Sequence, residues 1–213
     1  MKSLSILIPI YNEEESLQAL FDELKLSFEN NQSIEIIFIN DGSSDMSQKV
    51  IENEIANHST WKLINLYRNY GKSVALQSGI DIASNELIAT LDGDLQDDPK
   101  ELISLVRELN EDDVIVGWKK DRLDPLEKKI ASKIFNFFIK LFSGLKIKDS
   151  NSGIKVLKKE VAKSLNLYGG RHRYIPLLAH QKGFNVKEIP VNHRERKFGK
   201  SKYGAERYKH GFF

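Results

Sequence analysis

Along the first 118 residues, short apolar runs rich in β-branched residues alternate with longer stretches whose apolar positions recur every three or four residues. Runs of the first kind mark buried strands, those of the second amphipathic helices, and their alternation predicts an open α/β sheet. The predicted strands are 5–9, 34–40, 61–66, 86–91 and 113–118. Between them, helices are predicted over 14–28, 45–56, 72–83 and 98–109. The first carries Leu17, Leu20, Phe21, Leu24 and Phe28 on one face, and the last opens with Asp98-Pro99, a proline suited to a first turn. Beyond Trp118 the rhythm changes. A helix over 126–142 would put Leu126, Ile130, Ile134, Phe137, Phe138, Leu141 and Phe142 on one face with Lys128, Lys129, Lys133 and Lys140 around it. Such a helix can lie at a membrane interface or pack on a core, and both readings stand.

Composition and charge sharpen this picture. At 213 residues the chain suits one domain with a substantial core. It has no cysteine, which excludes disulfides and thiolate metal sites and fits a reducing compartment. No signal peptide opens it, and no apolar run approaches the roughly 20 residues of a membrane span. The net charge of +2 hides a strong polarity. Residues 1–118 hold 8 basic and 22 acidic residues, a net −14; 119–150 hold 9 and 4, +5; 151–213 hold 15 and 4, +11. The basic C-terminal part suggests an anionic partner. Nucleic acid is not that partner, because the acidic first half would repel a polyanion.

In open α/β sheets, ligands bind beyond the carboxyl ends of the strands. Four such loops are polar here: Pro9-Ile10-Tyr11-Asn12-Glu13, Asn40-Asp41-Gly42-Ser43, Arg68-Asn69 and Asp92-Gly93-Asp94. Asp92 and Asp94 lie two apart at a strand end, so both carboxylates can project to one side. With Gln96 as a third oxygen donor they suit Mg²⁺ or Mn²⁺, ions that keep positions open for diphosphate oxygens. No Gly-rich loop followed by Lys stands near the N-terminus, which disfavours a nucleotidyltransferase. His172, His180 and His193 lack a close metal-ligand pattern and read as structural or surface residues. Trp118 and Tyr174 read as packing residues.

The segments Ile8-Pro-Ile-Tyr-Asn-Glu13, Asn40-Asp-Gly-Ser-Ser-Asp45, Arg68-Asn-Tyr-Gly-Lys72, Leu91-Asp-Gly-Asp-Leu-Gln96, Asp149-Ser-Asn-Ser-Gly-Ile-Lys155 and Arg196-Lys-Phe-Gly-Lys-Ser-Lys-Tyr203 resemble, in order, those of family-2 glycosyltransferases of the dolichyl/polyprenyl phosphate mannose and glucose synthase type. Arg173-Tyr-Ile-Pro-Leu-Leu178 and Glu188-Ile-Pro-Val-Asn-His193 are similar to the bacterial branch. The resemblance implies one GT-A domain, a Rossmann-like, predominantly parallel sheet flanked by helices. Its 1–118 half would take the nucleotide sugar and metal, and its 119–213 half the acceptor and membrane. Pro9, Tyr11 and Glu13 then match base and ribose contacts, Asp41 the acid that reads base or ribose, and Arg68 and Lys72 the completion of the nucleotide half. Asp92, Asp94 and Gln96 match the metal and diphosphate site, with Gly93 where the family commonly has Ala.

On the acceptor side Arg196, Ser201 and Lys202 match an Arg-x-x-Gly-x-Ser-Lys loop for the lipid phosphate. Arg122 and Lys129 join that set, Lys129 standing where relatives often carry Arg. Asp149 aligns with an acid beside the transfer site, as orienter or base; Asp94, Asp149, Arg122, Lys129 and Arg196 are the catalytic candidates. The implied reaction is inverting, metal-dependent transfer from a UDP- or GDP-linked sugar to undecaprenyl or dolichyl phosphate at the cytoplasmic face of the cell membrane. Transfer to a sugar or protein hydroxyl, and anion binding without catalysis, are the alternatives. Self-association into a homo-oligomer stays open. The chain ends on Phe212-Phe213, and the resemblance leads us to expect membrane helices beyond residue 213.

Overall fold

A computed structural model describes residues 2–28, 31, 33–119, 144–145, 147–192 and 194. The strands are β1 (Leu4–Ile10), β2 (Ile34–Asn40), β3 (Trp61–Asn65), β4 (Leu87–Thr90), β5 (Val114–Lys119), β6 (Lys155–Lys158) and β7 (Val186–Val191). The helices are α1 (Glu14–Phe28), α2 (Ser47–Ile55), α3 (Lys72–Ile82), α4 (Glu101–Glu108), α5 (Lys159–Ser164) and α6 (Ile175–Gln181), with a 3₁₀ turn at Arg171–Tyr174. The expected strand and helix order through Trp118 is present, with 14–28 and 34–40 as read and the other ends moved by up to three residues. The last of those helices starts at Glu101 because Asp98 and Pro99 form the turn before it, Asp98 Oδ1 accepting the Lys100 amide at 3.0 Å. Four later elements had no counterpart in the sequence reading. β6 is four residues with a lysine at each end, and β7 carries Pro190, which a strand tolerates at a sheet edge. The helix expected over 126–142 lies outside the described residues.

The seven strands form one sheet in the order β3-β2-β1-β4-β6-β5-β7. Only β6 runs against its neighbours. Alternate residues of the central strands feed two cores, as a period of two requires. Leu4, Ile6, Ile8, Ile36 and Phe38 face α1 and α4, where Phe21 meets Phe38 edge-on at 5.6 Å. Leu7, Ile37, Ile39, Ile88 and Val116 face α3, α5 and α6. β2 is buried along its whole length, which is why Ile36 to Ile39 read as a continuous apolar run; the buried Glu35 within the strand accepts from Ser5 Oγ and pairs with Lys62. In register, Ile10 pairs with Asn40 and Asn40 with Asn65, so the loops after β1, β2 and β3 leave the same edge. Thr90 pairs with Leu7, and the loop after β4 joins them. No described helix is long and apolar enough to cross a membrane.

Candidate active site

At this edge lies a cleft of about 410 Å³. Its walls come from all four loops read from the sequence and from a fifth segment, Gly169 to Arg173. The first two loops are laced together. The Asn12 amide donates to Ser43 Oγ at 2.9 Å, the Ser44 amide to Asn12 Oδ1 at 2.7 Å, and the Glu13 amide to Ser47 Oγ at 2.9 Å. Glu14 and Asp45 exchange side-chain acceptors for each other's segment, taking the Met46 and Glu14 amides. These bonds fix Pro9, Tyr11 and Glu13 in the cleft wall.

Asp41 lines the cleft but its two carboxylate oxygens are engaged, accepting the amides of Tyr70 at 2.8 Å and Gly71 at 2.9 Å. Burial pushes its pKa up, and the two amides partly oppose that. The next residue shows why the sequence is Asp-Gly: a Cβ on Gly42, at φ +67, would lie 2.3 Å from the Arg68 carbonyl carbon. The third loop therefore rests on the backbone of the second. Arg68 itself is exposed, its guanidinium 5.0 Å over the Tyr70 ring, and does not line the cleft.

Lys72 is the first residue of α3, a position where a cation opposes the helix dipole. It is compensated by an ion pair with Asp92. Asp92, Gly93 and Asp94 line the cleft at the end of β4, and Asp94 Oδ1 accepts the Gln96 amide at 3.2 Å. Leu95 holds φ 61 with its side chain buried, an uncommon backbone state for leucine that turns the loop back into the core. Gln96 does not line the cleft; its carbonyl accepts the Arg194 amide at 2.9 Å. Burial would raise the Asp92 pKa, but Lys72 first, then Lys119 and Lys155, outweigh it and hold the carboxyl well below its ordinary range. Asp92 is thus an anion at neutral pH.

Under this loop sits a layer of buried charge that the sequence reading missed. Lys119 pairs with Asp97 at 2.9 Å, and Lys155, 3% exposed, donates to the Ser152 carbonyl. Burial and repulsion from Lys72 push the Lys155 amine down to about 8, against the attraction of Asp92 and Asp149. Asp149 is 1% exposed and does not line the cleft. Its loop is held from β7, Glu188 accepting the Lys148 and Asp149 amides at 3.0 and 2.7 Å. Gly153 closes the packing: a Cβ there would lie 2.7 Å from Asp92 Oδ2 and 2.8 Å from Asp97 Oδ2. The Asp149-Ser-Asn-Ser-Gly153 segment therefore buttresses the Asp92 carboxylate from below. A lysine between apolar neighbours at the start of a short strand looks solvated in sequence, so nothing local marked Lys155 as buried.

His172, read from the sequence as structural or surface, is held by Ser73 as a structural residue would be, and it also lines the cleft. Trp118 is half-buried under the Lys148 ammonium, 3.7 Å from its ring centroid. Arg194 is fastened beside the fourth loop by Glu23, at 2.7 and 2.9 Å, and by Asp98. Arg122, Lys129, Arg196, Ser201, Lys202 and His193 lie outside the described residues. Among the described residues no three His, Cys, Asp or Glu side chains gather as a metal site. The donor set is the hard pair Asp92 and Asp94, whose oxygen donors fit Mg²⁺ or Mn²⁺, with the remaining ligands coming from a diphosphate and water.

Comparison with known proteins agrees with this geometry. A dodecaprenyl-phosphate galacturonate synthase of Rhizobium johnstonii is 36% identical over 211 residues, covering 96% of this chain and 62% of the relative. An undecaprenyl-phosphate 4-deoxy-4-formamido-L-arabinose transferase of Yersinia pestis is 36% identical over 212 residues, covering 97% and 64%. The chain thus spans less than two thirds of the length of these relatives. Among solved structures, a mannosyltransferase of Pyrobaculum calidifontis in complex with GDP-Man and Mn²⁺ superposes with a TM-score of 0.71 at 14% identity, over 94% of this chain and 58% of that one. A glucosyl-3-phosphoglycerate synthase of Mycobacterium tuberculosis with Mn²⁺, UDP-Glc and phosphoglyceric acid gives 0.71 at 13% identity, over 93% and 73%. These likenesses show the GT-A fold. Residues 5–165 match the family described as Glycosyl transferase family 2, and the chain belongs to that family.

Proposed function

We propose that the chain transfers a sugar, with inversion, from a nucleotide diphosphate sugar to a polyprenyl phosphate. The observation that carries the donor half is the Asp92, Asp94 and Lys72 cluster at the end of β4, in a cleft whose other end is lined by Pro9, Tyr11 and Asp41. Base and ribose lie against Pro9 and Tyr11, and the diphosphate lies over the carboxylate pair. A divalent ion held by Asp92 and Asp94 would neutralise charge on the departing diphosphate. Lys72 is placed to share that task, since its ammonium already stands at Asp92.

Among the described residues the cleft carboxylates are already engaged, which supports the acceptor half. They are Glu13, Asp41, Asp92 and Asp94. Glu13 accepts from Ser16, Asp41 holds two amides, Asp92 holds Lys72, and Asp94 accepts the Gln96 amide. A sugar hydroxyl acceptor requires a general base, whereas a phosphate monoester, with a second pKa near about 6, is already largely a dianion. One of its oxygens attacks the anomeric carbon from the face opposite the nucleotide; that bond forms as the bond to the diphosphate breaks, and no proton has to move. Asp149 serves as an orienter of buried Lys155 in this reading, not as the base. Arg122, Lys129, Arg196, Ser201 and Lys202 are assigned to the acceptor phosphate, and Arg194 anchors the start of that last segment at the carbonyl of Gln96. The two curated relatives are named for polyprenyl phosphates, which supports the lipid acceptor and a place at a membrane.

Calorimetry with UDP- and GDP-sugars, with and without Mg²⁺ or Mn²⁺, tests the donor half. Metal-dependent binding of one nucleotide sugar is expected; metal-independent binding, or none, would refute it.

A further inference from the structure

We propose that His172, held by Ser73, hydrogen-bonds a hydroxyl of the sugar being transferred and so acts as a specificity residue. This rests on the donor reading above. His172 reaches the cleft from the 3₁₀ turn Arg171–Tyr174, which packs on α3. Gly169 and Gly170, at φ +47 and +85 with open space where a Cβ would be, bring the chain into that turn. Ser73 is the second residue of α3, directly after Lys72, and is 3% exposed. Its hydroxyl is bonded to His172 Nδ1 at 2.9 Å and also accepts the His172 backbone N–H at 3.0 Å. Two bonds to one buried atom set both the position of the residue and the plane of its ring. Nδ1 is then engaged, and Nε2 is the ring's remaining polar atom for a ligand.

The charge of the ring selects the kind of ligand. Burial first, then Lys72, Arg173 and Lys155, with only Asp92 opposing, push the imidazole pKa down to about 2, so the ring is neutral at working pH. Lys72 and Arg173, both cations, line the same cleft, and Lys72 already pairs with the Asp92 carboxylate. A neutral ring adds little to phosphate binding beside them but matches a hydroxyl, which both donates and accepts. Along the cleft, Pro9, Tyr11 and Asp41 take the nucleoside end, and Asp92 and Asp94 the diphosphate. The Gly169 to Arg173 wall is the part left for the sugar. Among the described residues, the buried Arg173 Nε beside it has no hydrogen-bond partner, a second polar group on this wall with unmet capacity.

The test compares, by calorimetry with Mn²⁺, binding of UDP and GDP against UDP-glucose, UDP-galacturonic acid and GDP-mannose. His172→Asn keeps an atom in place for Ser73 and removes Nε2; His172→Gln places an amide nitrogen near the Nε2 position. For the nucleotide sugar that wild type prefers, His172→Asn and Ser73→Ala are expected to weaken binding about tenfold, a hydrogen bond's worth, with the bare nucleoside diphosphate changed by no more than about twofold. His172→Gln should restore part of the loss. Circular dichroism and thermal melting confirm that each variant is folded. Equal weakening of diphosphate and sugar nucleotide, or no weakening, would overturn the inference while leaving the donor reading intact. A wild type that binds no nucleotide of the panel overturns the donor reading itself, and this inference with it.

Discussion

Two glycines flank the carboxylate pair, and replacing each with alanine should have opposite consequences. In Gly153→Ala the new methyl starts 2.7 Å from Asp92 Oδ2, 2.8 Å from Asp92 Cγ and 2.8 Å from Asp97 Oδ2. Ordinary contact begins near 3.4 Å, so Asp92 must retreat by about 0.7 Å. It cannot do so freely, because Lys72 holds it and Asp97 is tied to Lys119 at 2.9 Å. Overpacking of this kind costs about 1–3 kcal/mol, which for a domain of this size lowers Tm by about 2–12 °C. Displacement of a ligand-holding group by a sizeable fraction of an ångström should also weaken metal-dependent donor binding at least about tenfold. In Gly93→Ala the near neighbour is the Cδ1 methyl of Ile10 at 2.5 Å, the end of a flexible side chain, with Ile8 Cγ2 and the Pro9 carbonyl oxygen at 3.7 Å. A rotamer adjustment costing about 1 kcal/mol accommodates it, and binding should stay within about threefold. Melting curves and Mn²⁺-dependent nucleotide calorimetry on both variants decide the matter. Equal effects, or a milder Gly153→Ala, would refute the claim that the 149–153 segment positions Asp92.

Asp94→Asn should leave the melting temperature within a few degrees and abolish metal-dependent donor binding; an unchanged titration would remove the residue from the metal site. Asp41→Ala leaves the Tyr70 and Gly71 amides without their acceptor and should cost about 2–4 kcal/mol, with faster hydrogen exchange at those two amides; unchanged exchange there would contradict its role as a clamp. NMR titration of the lysine amines should show one, Lys155, near about 8. The unfolded chain then binds more protons than the folded one between about 8 and the ordinary value near 10.4, so this group destabilises the fold below that window and the penalty is relieved as pH rises through it. Lysines that all titrate near the ordinary value would refute the buried charge layer.

Much of this could be read from residues in order. The apolar run Ile36 to Ile39 in β2 and the three- and four-residue spacing in α1 report directly on burial, and the strand-end loops identify the edge where the cleft forms. What escaped were features made by contacts distant in sequence. Asp41 reads as a ligand contact, yet its oxygens hold a loop 29 and 30 residues away. Asp149 reads as an acid beside the transfer site and Lys155 carries no mark of burial, because only the folded 149–153 segment shows that both are buried near Asp92. His172 gave no signal, because its partner Ser73 is 99 residues distant. The acceptor assignments Arg122, Lys129, Arg196, Ser201 and Lys202 rest on motif resemblance and lie outside the described residues.

The central claim is that phosphate, not hydroxyl, accepts the sugar. The most direct measurement offers the protein, with Mn²⁺ and the labelled nucleotide sugar selected by calorimetry, undecaprenyl phosphate and undecaprenol in matched detergent micelles. Label should enter the lipid fraction only with the phosphate, as an acid-labile sugar phosphodiester. Transfer to undecaprenol or to a sugar hydroxyl, with the phosphate inert, would contradict the account.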